Sequence, residues 1–205
     1  MNNILIFGDS IAAGRGVKKE KSWPFLLAQY FDKKDKNSNL VYNLGIPGES
    51  TNEIIERFSV ETQARFKKET ANRSYIIFAT GINDSKCIGS KDNPITDTKK
   101  LKKNIGLLID NARKYTENIF FIGPTLVDEK KTVPIGTNYF LNEKILKYSD
   151  IIESVCSKNN ISFTGIGSSW KQKKYIKFLA EDGIHPNPLG HKFIYEKIVN
   201  TIEKN

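Results

Sequence analysis

Short apolar runs without a helical period recur along the chain, separated by stretches in which apolar residues return every three or four positions. Asn3 to Phe7, Leu40 to Leu44, Tyr75 to Ala79, Asn118 to Ile122 and Ile161 to Thr164 are the short runs. Their length and their content of Ile, Val, Phe and Tyr predict strands, and the first reads as a buried parallel strand. Between them, Phe25, Leu26, Leu27, Tyr30 and Phe31 follow Ser22-Trp23-Pro24. That is a helix start, with Ser22 as cap and proline in the first turn. Ser50-Thr51-Asn52-Glu53 is a capping-box pattern, and it predicts a helix running to about Glu69. A connection from Cys87 to Thr96 leads into a long helix ending near Tyr115. Phe140, Leu141, Ile145, Tyr148, Ile151, Ile152 and Val155 make an amphipathic helix over 138–159, and Pro188 to Glu203 is a closing helix. Asp32 to Asn39 reads as a polar turn, Thr125 to Thr137 as a loop beside the site, and Trp170 to Leu179 as a short helix or irregular segment.

Strand and helix therefore alternate with neither a repeat nor a linker. This predicts a single α/β domain over 1–205, a three-layer α/β/α sandwich with about five parallel strands. A chain of 205 residues is long enough for one such core and too short for two comfortable ones. Its 39% of apolar residues place it among folded globules, not disordered chains.

The net charge of +9 raises the question of an acidic partner. The lysines are spread over helical stretches, as at Lys99, Lys100, Lys102 and Lys103, and alternate with acids without stacking aromatics. They read as solvated faces, and no nucleic-acid partner is expected. Cys87 and Cys156 have no metal-ligand spacing and predict neither a zinc site nor a disulfide framework. The first strand opens at the third residue, no basic-then-apolar leader precedes it, and no run reaches the length of a membrane helix. The expectation is a soluble, cytoplasmic protein without integral membrane association.

The candidate chemistry lies at the two ends of the chain. The first strand ends in Gly8-Asp9-Ser10, followed by small residues and the turn-forming Gly14-Arg15-Gly16. Ser10 is thereby set at the carboxyl end of a strand, where open α/β sheets bind ligands. A lone Asp-Ser would be read as a helix cap. Asp182-Gly183-Ile184-His185-Pro186-Asn187 changes that, because it puts a carboxylate three residues before a histidine in one turn. A serine hydroxyl needs a base to take its proton, and the imidazolium that forms needs an acid to fix its tautomer. His191, early in the last helix with no acid arranged beside it, reads as structural. Gly45 and Asn83 each follow a separate strand, so parallel topology brings them to the same sheet edge as candidate oxyanion donors. Asp9 and Asp84 read as supports that cap their neighbouring backbone, and Glu49 is a residue that could line the pocket mouth.

These blocks, Gly8-Asp9-Ser10, Asn43-Leu44-Gly45-Ile46-Pro47-Gly48, Gly81-Ile82-Asn83-Asp84 and Asp182 to Asn187, occur in the order found in the GDSL-type (SGNH) hydrolases. The chain resembles that family over nearly its whole length. The resemblance implies a flavodoxin-like SGNH fold and an ester hydrolase with Ser10, His185 and Asp182 as the triad. It also implies an oxyanion hole from the Ser10 and Gly45 backbone amides and the Asn83 side chain. No metal or organic cofactor is implied, and the partner is a small-molecule ester: a short acyl ester, an acetylated sugar, a lysophospholipid or a thioester. One departure stands out: members often carry an aspartate near the end of the fifth strand, where this chain has Phe163-Thr164-Gly165-Ile166.

Three rival classes fit the sequence less well. The ordinary α/β-hydrolase fold requires a Gly-x-Ser-x-Gly elbow, which is missing. A nucleotide-binding module requires G-x-G-x-x-G or a P-loop, and neither occurs. A non-catalytic carbohydrate- or ligand-binding protein on the same scaffold has no need of the complete Ser10, Gly45, Asn83, Asp182 and His185 set.

Overall fold

Five parallel strands form the centre of the protein in a computed structural model that describes residues 2–34, 39–66, 74–172 and 174–204. They are β1 (Asn2–Gly8), β2 (Asn39–Gly45), β3 (Tyr75–Ala79), β5 (Ile119–Ile122) and β7 (Ser162–Thr164), in the order β2-β1-β3-β5-β7. The helices are α1 (Trp23–Lys34), α2 (Thr51–Arg65), α3 (Ile82–Ser85), α4 (Thr98–Arg113), α5 (Glu129–Thr132), α6 (Asn142–Lys158), α7 (Ile166–Lys171) and α8 (Pro188–Ile202). Two-residue strands β4 (Cys87–Ile88) and β6 (Asn138–Tyr139) pair antiparallel apart from the main sheet.

Alternation along β1 explains the layering. Ile4 and Ile6 point to one side, into a cluster with Trp23 and Leu27 of α1 and Ile194 and Ile198 of α8. Leu5 and Phe7 point to the other, among Ile54 and Phe58 of α2, Ile105 and Leu108 of α4 and Ile152 of α6. Residues two apart share a face, and helices cover both faces, so the strand is apolar at every position from Ile4 to Phe7. This is the expected α/β/α sandwich. The strand order reverses at β1, with β2 on one side and β3 on the other. A crevice at the carboxyl ends of the strands follows from that reversal.

Several local expectations change. The 80–84 segment, read as a loop, leads into the single turn of α3, which begins within it, and the 125–137 loop contains α5, capped by the Asp128 side chain accepting from Lys130 N–H. The helix expected from 138 begins at Asn142, because Asn138 and Tyr139 pair with Ile88 and Cys87. Helix α2 ends at Arg65, short of Glu69, which lies with 67–73 outside the described residues, as do 35–38 of the Asp32 to Asn39 turn and 173 of the Trp170 to Leu179 segment. The capping box at its start forms as expected: Glu53 Oε2 accepts from Ser50 N–H at 2.8 Å. Ser22 does not cap through its side chain; its hydroxyl donates to the Lys19 carbonyl at 2.7 Å.

The first N–H of α1 is met from the other end of the chain. Trp23 N–H donates to His191 Nδ1 at 3.3 Å, and His191 Nε2 lies 3.4 Å from the Arg15 carbonyl. Fully buried, His191 thus fastens α8 to α1 as a neutral imidazole. Burial pushes its pKa down from 6.5 to about 4. Among the described residues, no helix is long and apolar enough to cross a membrane.

The depressed pKa gives a signed expectation. The stability that neutral His191 contributes is whole above pH 6.5 and is lost as pH falls through about 4. Urea titrations of wild type and His191→Gln, whose amide can accept from Trp23 and donate to Arg15, should diverge. Between pH 7 and pH 4 the wild type should lose about 3 kcal/mol relative to the variant; parallel curves would refute the assignment.

Candidate active site

Ser10 follows β1 in a turn that closes on itself: Ala13 N–H donates to the Asp9 carbonyl and Arg15 N–H to the Ser10 carbonyl, both at 2.9 Å. Asp9 secures this turn from beneath, its Oδ1 accepting from Ile11 N–H at 2.8 Å. Burial, with Asp84 close enough to add repulsion, raises the Asp9 pKa from 3.8 to about 7. Asp84 is also buried, and burial raises its pKa although Thr51 donates to it through both N–H and hydroxyl, the latter at 2.6 Å. It ties the turn after β3 to the start of α2. Both acids support backbone, as the sequence indicated.

The segment carrying His185 is a short loop between a 3₁₀ turn (Tyr175–Phe178) and α8. Ala180 N–H donates to the His185 carbonyl and Asn187 N–H to the Phe178 carbonyl, each at 2.8 Å, closing the loop's neck. Asn187 Oδ1 then caps α8 by accepting from Leu189 and Gly190 N–H. The 125–137 segment braces the loop from outside: Asp128 N–H reaches the Gly183 carbonyl at 2.7 Å, and Lys131 Nζ the Glu181 carbonyl at 2.7 Å.

Within the loop, Asp182 Oδ1 accepts from the Ile184 and His185 N–H groups at 2.9 Å, while Oδ2 lies 2.6 Å from His185 Nδ1. Burial works to raise the Asp182 carboxyl, but the hydrogen bonds from the His185 ring and backbone and from Ile184 outweigh it and hold the pKa below the ordinary value. The ionised carboxylate fixes a proton on Nδ1, which leaves Nε2 as an acceptor. Nε2 lies 2.8 Å from Ser10 Oγ. Ser10 and His185 are both buried, 8% and 7% exposed. Serine, histidine and aspartate, named from the sequence, are thus brought into one hydrogen-bonded line.

The oxyanion candidates fare differently. Asn83, buried at the start of α3, donates through Nδ2 to the Glu49 carbonyl at 3.0 Å, and its second amide hydrogen has no acceptor among the described residues. Gly45 does not fit its expected role. In parallel β2, the next residue, Ile46, sends its N–H to the Gly8 carbonyl of β1. Successive N–H groups alternate in direction, so Gly45 N–H faces the outer edge, where it donates to Asn43 Oδ1 at 3.0 Å. Gly45 instead allows close packing: a Cβ there would come within 2.4 Å of Ala13 N in the Ser10 turn. Asn43 reinforces that contact through Nδ2 to the Ala12 carbonyl at 2.9 Å.

Gly48 is the better-placed glycine. It has φ +89, a conformation suited to glycine, and its N–H has no acceptor among the described residues. Both glycines lie within the Asn43 to Gly48 block, and spacing alone does not tell which of the two leaves its N–H without an acceptor among the described residues. Among the described residues no group of three or more His, Cys, Asp or Glu side chains could hold a metal ion.

A three-layer sandwich of this strand order, with a serine turn after its first strand and an Asp-x-x-His loop before its last helix, defines a hydrolase class, and comparison identifies the family. The model of the GDSL-like lipase/acylhydrolase family matches residues 6–193, and the chain belongs to that family, whose members hydrolyse ester bonds. Among solved structures it is similar to a lipase/acylhydrolase from Enterococcus faecalis, at 19% identity and TM-score 0.80 over 100% of this chain and 96% of that one. It is similar to TesA at 18% identity and TM-score 0.73, covering 99% of each chain. The acetyl xylan esterase AlAXEase matches at 20% identity and TM-score 0.74, covering 98% of this chain and 99% of that one. No curated protein matches in sequence.

Two expectations follow. Stability attached to protonated Asp9 is whole below about pH 3.8 and is lost as pH rises through about 7. Asp9→Asn, which can still accept from Ile11, should gain up to about 4 kcal/mol on the wild type between pH 4 and pH 8 in urea titrations. Gly45→Ala should lower stability by about 2 kcal/mol or more through overpacking on the Ser10 turn; an unchanged urea midpoint would contradict the close approach.

Proposed function

We propose that the protein hydrolyses small ester substrates through an acyl-Ser10 intermediate. The observation that carries this reading is the unbroken line from Ser10 Oγ through the His185 ring to Asp182, with separations of 2.8 and 2.6 Å. His185 Nε2 takes the Ser10 proton as Oγ attacks the ester carbonyl, and the imidazolium is stabilised by Asp182. The same proton then passes to the leaving alkoxide as the tetrahedral intermediate collapses. Water, deprotonated by His185, attacks the acyl ester in a second round that releases the acid and restores Ser10.

The negative oxygen of each intermediate needs fixed donors. Our reading gives this role to the Ser10 and Gly48 N–H groups and to Asn83 Nδ2, in place of the Gly45 amide that the sequence suggested. Their support is topological: the three turns leave the adjacent strands β2, β1 and β3 at the same edge. Ser10 N–H, like Gly48 N–H, has no acceptor among the described residues. The name of the acetyl xylan esterase among the structural relatives makes acetyl esters of carbohydrates one substrate group for this same site.

Hydrolysis of p-nitrophenyl acetate and butyrate near pH 8, with fluorophosphonate labelling in parallel, tests the reading. Turnover and labelling should both vanish in Ser10→Ala. Asp182→Asn should lower kcat by about 10²- to 10⁴-fold, and Asn83→Ala by about 10²- to 10³-fold. A folded wild type that neither turns over these esters nor takes the label would remove the acyl-serine reading.

A further inference from the structure

We infer that Arg57 is a positioning residue for the oxyanion donors, acting through Glu49; the inference rests on the acyl-serine reading. Arg57, on α2, is set back from the Ser10-His185-Asp182 line. Its Nε donates to both Glu49 carboxylate oxygens, at 3.0 and 2.9 Å, and its Nη2 to Glu49 Oε2 at 2.6 Å. Nη2 also donates to the Leu44 carbonyl at 2.6 Å. A single planar guanidinium therefore grips the 44–49 turn at both ends, with Gly48 held between them. Its Cζ sits 5.3 Å from the Phe7 ring centre on β1, three residues before Ser10.

Glu49 carries the constraint onward. Its carbonyl accepts from Asn83 Nδ2 at 3.0 Å, and its N–H closes the turn on the Ile46 carbonyl at 3.3 Å. The side chain that receives Arg57 thus belongs to the residue whose backbone orients the Asn83 amide. Two of the three proposed donors, on separate turns, are set by one ion pair whose partners are only 15% and 12% exposed. An exposed pair would be loosened by water and salt, whereas this one is largely shielded. Arginine is required in place of lysine because the grip needs a side-on fork to a carboxylate and a further donor to a carbonyl.

The test compares wild type, Arg57→Lys, Glu49→Gln, Asn83→Ala and the Arg57→Lys/Asn83→Ala pair. With p-nitrophenyl acetate, Arg57→Lys and Glu49→Gln should lower kcat by about 10- to 100-fold while KM stays within about threefold, the pattern of a loss confined to the transition state. Fluorophosphonate labelling should slow in parallel in variants that still unfold cooperatively in urea. Arg57→Lys should add less loss in the Asn83→Ala background than in wild type, since only the Gly48 donor is then left for it to disturb. Full kcat in a folded Arg57→Lys protein, or an undiminished loss in the Asn83→Ala background, would overturn the inference. If the wild type hydrolyses no ester, the acyl-serine reading fails, and NMR decides the positioning role separately. The Gly48 N–H and Asn83 side-chain amide signals should shift or broaden in Arg57→Lys, and unchanged signals would overturn it.

Discussion

The 2.8 Å contact between His185 Nε2 and Ser10 Oγ is the constraint on which the site depends, because its two ends lie 175 residues apart in the chain. Nothing local brings them together. Ser10 is placed by β1, which is held between β2 and β3 in the middle of the sheet. His185 is placed by α8, the last helix, which reaches the sheet by packing Ile194 and Ile198 on the same side as Ile4 and Ile6 of β1. The buried link from His191 to Trp23 and Arg15 fixes the first and last helices against each other within a few residues of both groups. A site made this way can be no more rigid than the packing between its outer elements, which explains why so much buried polar bonding surrounds it.

Much of this was legible in the sequence, for identifiable reasons. All five strands of the sheet are legible because each is a short run of β-forming residues. The inner strands β1, β3 and β5 are apolar on both faces, a pattern that buried parallel strands impose, whereas the edge strands β2 and β7 are only partly buried. Ser10, Asp182 and His185, which the structure brings into one hydrogen-bonded line, could be singled out because acyl-transfer chemistry asks for those residue types and the Asp-to-His spacing fits one turn. The antiparallel pair β4–β6 was not found, since two-residue strands carry no period and their pairing is fixed by tertiary contact. Residue type alone makes Ser22 look like a cap, whereas the acceptor for Trp23 N–H comes from His191 in a distant helix. Gly45 was chosen over Gly48 for a similar reason. Both are turn glycines in sequence, and only the direction of an N–H in the sheet separates them. Arg57 carried no signal at all, because nothing in a helical sequence states that one of its side chains grips the preceding turn.

Buried charge is distributed unevenly around the site. Asp9 and Asp84 lie beneath the turns, where burial favours their neutral forms, while Asp182 is kept ionised by the donors gathered around it. Carboxylates of the same chemical type are thus pushed in opposite directions according to how many hydrogen bonds each collects relative to its burial. Asp182, the acid proposed to stabilise an imidazolium, is the one left partly open to solvent, at 42% side-chain exposure.

The distance in sequence between Ser10 and His185 has a consequence for synthesis. The proposed nucleophile is synthesised 175 residues before the proposed base. A nascent chain long enough to form β1, β2 and β3 would carry the serine turn and the oxyanion turns but no group to take the serine proton. The Ser10 turn therefore has no partner to take its proton until the Asp182–His185 loop is in place, so a chain broken off before that loop would be inert in the proposed reaction.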